Sequence, residues 1–318
     1  MPKQLENFHY HPLWVSHLGC IQGCLKYLGR EVSDGWLFGV SGHAFLLNIH
    51  PQVCPSGPTA WRKERFLQLL DNLGIAHKSL VAHVSQKNFN ERQEHVWQWT
   101  RRWIDEGLPC FGWELGVPEY YVIRGYNEAG YLYEGCDGRE PGTKPWNELG
   151  VSDIGILEVH FVQPADPPDD LAAVRDALYF DLEFSTSPAA WLFPEYRAGV
   201  EGFDLWINAL RENRALTFGV AYNAAVWEEC RRNGAAFLEE AVRRLPGKCD
   251  ELFLQAAADY RAVAAALAEV KNLHPFPPLG EELDLQTAAA TIEPLIQARE
   301  AEARGLKKLG EIVNKLAS

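Results

Sequence analysis

The stretch QPADPPDD, residues 163–170, separates two kinds of sequence pattern. Proline breaks helix interiors and is tolerated in the first turn, where acidic residues suit the positive end of the helix dipole. The stretch therefore reads as a linker or a helix start. Before it, helical and extended segments alternate. After it, nearly every apolar residue recurs at the three- and four-residue spacing of amphipathic helices. A chain patterned in this way folds as an α+β domain followed by an all-helical one. Its 318 residues fit two domains at roughly 100–200 residues each, so the expected division is 1–165 and 166–318.

Within the first part, TAWRKERFLQLLDNLG (59–74) reads as a helix capped by Thr59, and NERQEHVWQWTRRWIDEG (90–107) as another with Val96, Trp99 and Trp103 on one face. HAFLLNI (43–49), HKSLVAHV (77–84), PCFGWEL, YYVIRGY and GYLYEG read as extended, with NEAG (127–130) as a hairpin turn and IGILEVHFV (154–162) as a buried strand. In the second part, residues 222–247, 251–278 and 287–316 read as helices, the last bent at Pro294. Their apolar stripes are packing surfaces.

Charge and cysteine usage narrow the function classes. The formal net charge of −13 opposes nucleic acid or an anionic membrane as the main partner. Seven scattered cysteines do not form a disulfide framework and fit a reducing compartment. The N-terminus lacks a secretory leader pattern, and no apolar run reaches membrane-spanning length, so the expected location is cytoplasmic. His9, His11, His17, Cys20 and Cys24 are metal-ligand types, but H-x-H and C-x3-C do not make a zinc signature. Neither metal nor cofactor is expected. The sequence leaves the oligomeric state open.

The chemistry concentrates in HLGCIQGCLKYLG (17–29). A helix N-terminus favours a thiolate through its free N–H groups and dipole. A glycine precedes Cys20 and a helical run follows, which places Cys20 in or just before the first turn. Cys24, one turn later on the face of Leu28, belongs in the core. The alternative is that both thiols are packing residues, since free cysteine is among the most buried types.

HLGCIQGCLKYLGREVSDGWLFGVSGHAF (17–45) resembles the N-terminal domain of the butirosin biosynthesis protein H family. PEYYVIRGYNEAGYLYEGCDG (118–138) resembles the second half of bacteriocin-leader cysteine peptidases, and GFDLWINAL and ECRRNGAAFL resemble segments of the helical half of butirosin-H-like proteins. The resemblance implies a papain-like cysteine-proteinase-type domain over 1–165. It also implies an acyltransferase or peptidase-like hydrolase, and an acyl-carrier protein as partner. The family's catalytic histidine falls on Glu119, its third member near Cys136 and Asp137, and the peptidases' oxyanion-hole glutamine on Trp14. A carboxylate, with an unperturbed pKa of about 4.3 against about 6.5 for histidine, does not replace imidazole and raises a neighbouring thiol's pKa.

Two functional expectations follow. In the first, Cys20 is the nucleophile of acyl transfer or amide hydrolysis, with His17, Glu119 and Asp137 completing the catalytic set. Trp113, Glu114, Tyr120 and His43 then line a cleft for a small amine or peptide, since aromatics and carboxylates suit a cation. In the second, the same fold has lost its chemistry and binds a small molecule or peptide.

Overall fold

The computed structural model describes residues 2–278 and 283–317. In chain order the elements are β1 (Lys3–Gln4), α1 (Ser16–Tyr27), α2 (Asp34–Val40), β2 (Asn48–Ile49), α3 (Glu64–Leu69), β3 (Ile75–His83), α4 (Phe89–Asp105), β4 (Cys110–Trp113) and β5 (Tyr120–Tyr126). They continue as β6 (Gly130–Gly135), β7 (Gly142–Pro145), β8 (Ile156–Pro164), α5 (Asp170–Thr186), β9 (Arg197–Ala198), α6 (Gly199–Arg211), α7 (Thr217–Arg244), α8 (Asp250–Leu273) and α9 (Leu285–Leu316). The architecture is mixed α+β, with an antiparallel seven-stranded sheet in the N-terminal part and a helical C-terminal region. The chain forms two compact units, residues 1–32 with 74–167 and residues 33–73 with 168–318.

The first unit is the sheet with α1 and α4. Its strand order is β3-β8-β4-β5-β6-β7, with β1 against the end of β5. Neighbouring residues of a strand face opposite sides, and the two sides are filled differently. Phe111, Val122 and His160 share the side on which α1 packs, where the backbone of α1 at Gly23 approaches Val122. On the other side, Trp99 and Trp103 of α4 meet Phe161 at ring distances of 6.0 and 5.6 Å, and Trp97 meets Tyr131 at 4.9 Å. The β5–β6 hairpin turns at Asn127 as its sequence implies: the Asn127 side chain accepts from the N–H groups of Ala129 at 2.8 Å and Gly130 at 3.0 Å.

The helical unit is built on α7, α8 and α9, with α7 and α9 each packed against α8. Residues 33–73 lie in this unit: α2 packs on α7, and β2 pairs with β9. Arg231 of α7 is fully buried and makes a two-pronged bond with Glu302 of α9, Nε to Oε2 at 2.8 Å and Nη2 to Oε1 at 2.9 Å. Its remaining nitrogen donates to the carbonyls of Ala44 at 3.1 Å and Leu46 at 2.6 Å. Burial opposes the Arg231 charge, and the Glu302 carboxylate more than offsets this, so the guanidinium stays charged. Burial also pushes the nearby Asp181 carboxyl well above the usual range, against the pull of Arg231.

Several local expectations are corrected. Residues 59–63 are not helical and Thr59 caps nothing: Thr59 Oγ1 donates to the Ser56 carbonyl, and the Arg62 N–H bonds the Trp191 carbonyl at 2.8 Å. Only Asn48–Ile49 of HAFLLNI is strand. SDGWLFGV yields the short helix α2, whose N-cap Ser33 accepts from the Trp36 N–H at 2.9 Å. Among the described residues, no helix is long and apolar enough to cross a membrane.

A cut within residues 163–170 is expected to leave two fragments that co-elute under native conditions. Residues 33–73 would remain on the N-terminal fragment while their packing partners sit in 168–318. Size-exclusion chromatography of the nicked protein, with and without urea, checks this; fragments that separate without urea would contradict it.

Candidate functional site

Of the side chains that sequence reasoning singled out, His17, Glu119 and Tyr120 meet at the start of α1. The helix begins at Ser16, with Val15 as its N-cap, so Cys20 lies beyond its first turn. Gly19 is not a start signal. Its missing Cβ admits the incoming segment, since a Cβ there would sit 2.5 Å from the Tyr10 ring and 2.6 Å from the His11 carbonyl oxygen. Gly23 makes the same allowance for the His9 carbonyl. The glycines thus mark a chain crossing over the helix.

That crossing seals the thiol. Cys20 and Cys24 are both 0% exposed, which corrects the expectation that Cys20 sits at an open end. Burial pushes the Cys20 thiol well above the usual cysteine range, with Cys24, Cys136 and the Glu119 carboxylate adding to the effect. All seven cysteines are free.

Glu119, at the position where the resemblance implies a histidine, is tied to the helix start. It accepts a short hydrogen bond from Ser16 Oγ, and Ser16 Oγ in turn accepts from the Tyr120 N–H at 3.1 Å. Asp137 accepts from Tyr121 O–H at 3.1 Å and from the Arg139 N–H at 3.3 Å. Glu114, with φ at +58°, accepts from Ser152 O–H at 2.8 Å. Trp113 and Tyr120 are buried, their rings 5.0 Å apart. These residues hold the sheet and its loops together through bonds within the unit.

His17 and His43 part company. His17 is buried and stacked on Tyr120 at 4.1 Å, edge-on to Phe111 at 5.2 Å and 5.1 Å from the His160 ring. His43 belongs to the helical unit, ringed by Phe38, Trp61 and Phe66, with its Nδ1 3.6 Å from Cys230 Sγ. Burial, with Arg231 and Lys63 adding, lowers its pKa to about 3, so it is neutral.

Sequence reasoning missed a fully buried polar group on this side of the sheet. His160 of β8 is fully buried and stacked on Phe111 at 4.7 Å. Its Nδ1 is 2.8 Å from Ser79 Oγ and its Nε2 2.7 Å from Glu158 Oε1, which also accepts from Tyr120 O–H at 3.0 Å. The available signal was Glu158-x-His160, two polar residues on one side of a strand otherwise apolar at its centre. Among the described residues no cluster of three or more histidine, cysteine or carboxylate side chains can hold a metal. A separate groove of about 250 Å³ runs between β3 and α4, lined by Leu80, Ala82, Arg92, His95 and Val96 among others.

No protein-family model matches the chain. Curated proteins similar to it include the ATP phosphoribosyltransferase regulatory subunits of Brucella ovis, Brucella canis and Brucella melitensis biotype 2. Each is 31% identical over 134 residues, covering 42% of this chain and 33% of the relative. The chain therefore spans about a third of the length of the curated relatives it matches. These matches overturn the reading by resemblance. The similar proteins are regulatory subunits, and the likeness to butirosin-H-like proteins and cysteine peptidases is withdrawn. With it go the papain-like assignment, Cys20-dependent acyl transfer or hydrolysis, the degenerate papain-fold binder and the acyl-carrier partner.

Alkylation of the native protein at pH 7.5, resolved by mass spectrometry, is expected to modify Cys54, Cys136 and Cys249 before Cys20. Burial raises the Cys136 and Cys249 thiols as well as Cys20, so access sets the order: Cys54, Cys136 and Cys249 are partly exposed and Cys20 is enclosed. Cys20 among the first residues to react would contradict the sealed geometry.

Proposed function

We propose that this chain is a regulatory partner that acts by binding a catalytic subunit of the ATP phosphoribosyltransferase type. The similarity to regulatory subunits over 134 residues carries the reading. The arrangement around α1 supports it: Cys20 is enclosed, and Glu119, Asp137 and Glu114 each accept from a hydroxyl of the same unit. Groups committed in this way shape a rigid surface. On this reading Cys20, His17, Glu119, Asp137, Trp113, Glu114 and Tyr120 are architectural, and the protein works in a reducing, cytoplasmic compartment, consistent with seven free thiols.

The test is direct association. This chain and an ATP phosphoribosyltransferase catalytic subunit from the same genome are purified separately, mixed, and followed by sedimentation velocity while the catalytic rate is recorded. A stable specific interface of roughly 1,200–2,000 Å² predicts a defined complex at micromolar concentration and a rate that changes on adding the chain. Independent sedimentation with an unchanged rate would contradict the proposal.

A further inference from the structure

The sheet side that carries His160 holds a hydrogen-bonded chain that the regulatory reading does not use. Ser79 of β3 and His160 of β8 are directly opposed partners in the antiparallel pair. The order of donors in the chain is fixed by its end. Tyr120 O–H donates to Glu158 Oε1, and an ionised carboxylate only accepts. His160 Nε2–H therefore donates to the same oxygen across 2.7 Å. In the neutral ring with its proton on Nε2, Nδ1 offers a lone pair that accepts from the Ser79 hydroxyl across 2.8 Å. This is a hydroxyl on a general base, the base in turn oriented by a carboxylate. Accessibility divides in the useful sense. His160 is 0% exposed and clamped by Phe111, so its orientation is fixed. Ser79 lies half-buried on the edge strand of the sheet, within reach of solvent.

We propose that Ser79 is a base-activated nucleophile that takes the acyl group of a small, uncharged carboxylic ester. The exposed Val81, two residues along the same side of β3, offers the acyl chain an apolar contact. Ser79 Oγ forms the new C–O bond as its proton passes to His160 Nδ1. The ester C–O bond breaks, and that proton leaves on the departing alcohol. Water, deprotonated by His160, then attacks the acyl-serine and releases the acid, restoring Ser79. Ester and water give acid and alcohol. Ser79 and His160 are the catalytic residues, and Glu158 is a positioning residue. The proposal stands apart from the regulatory reading, and its test involves no partner protein.

The experiment uses the full-length chain with a fluorophosphonate probe and with 4-nitrophenyl acetate. Mass spectrometry of the labelled wild-type protein is expected to place the probe on Ser79, an outcome that needs no variant. Ser79→Ala should abolish labelling, and His160→Gln should slow it at least about 100-fold, the ordinary contribution of a general base. Glu158→Gln should slow labelling and move its pH midpoint downward, because the imidazolium loses its carboxylate. The other groups facing that ring, His17 from α1 and Tyr120 from β5, stay in place in this variant. A structural role for Glu158 would lower the yield of folded protein without moving the midpoint. Labelling elsewhere than Ser79, or wild-type labelling no faster than that of the urea-unfolded chain, would overturn the proposal.

Discussion

The helical unit depends on one buried cation. Arg231 is wholly enclosed, and its guanidinium joins three parts of the chain that are far apart in sequence: the carbonyls at Ala44 and Leu46, helix α7, and Glu302 on α9. A buried charge is tolerated only when its donors are matched. Arginine's planar fork meets that condition with a bidentate carboxylate and two carbonyls. The segment 33–73 contributes short elements to this unit: α2, β2, α3 and a 3-10 turn at Leu70–Leu73. Its place there is specified by this polar clamp together with aromatic packing such as Phe45 on Tyr260 at 4.3 Å.

The sheet unit solves the same problem differently. It buries histidines, tyrosines and carboxylates on one side and satisfies them with one another: Ser16 with Glu119, Tyr120 with Glu158, His160 with both Ser79 and Glu158. Such networks rigidify a surface because each member fixes the next. A rigid surface suits a protein that works by association, which links this architecture to the proposed regulatory role. Cys20 lies inside the same layer, where neighbouring thiols and a carboxylate reinforce the effect of burial. Burial there opposes the thiolate that a helix start favours.

Much of the fold was legible in the sequence. The change of period after residue 170 gave the long helices, and among the described residues no strand occurs within 222–316. NEAG gave its hairpin, and IGILEVHFV its buried strand. What stayed hidden was long-range. Gly19 read as punctuation before a helix, whereas its role is to let Tyr10 and His11 cross close to α1, a fact about packing that no local pattern carries. Glu158 and His160 were absorbed into an apolar run because their partners, Tyr120 and Ser79, lie on other strands. Nothing in ECRRNG distinguishes Arg231 from the arginine that follows it. Arg232 is largely exposed, and only the tertiary structure separates the two. The family resemblance failed at the same point: it followed short motifs around Cys20, while the matches of 134 residues lead to regulatory subunits.

A double-mutant cycle on Arg231→Met and Glu302→Leu, read by urea unfolding, tests the clamp most directly. Each single variant leaves a buried charge without its partner and is expected to lose about 3–5 kcal/mol. The double variant should lose at least about 1 kcal/mol less than the sum of the two, because the second change removes a charge already stranded. Losses that add within about 0.5 kcal/mol would contradict the account, for the two side chains would then act independently and the unit would owe its integrity to apolar packing alone.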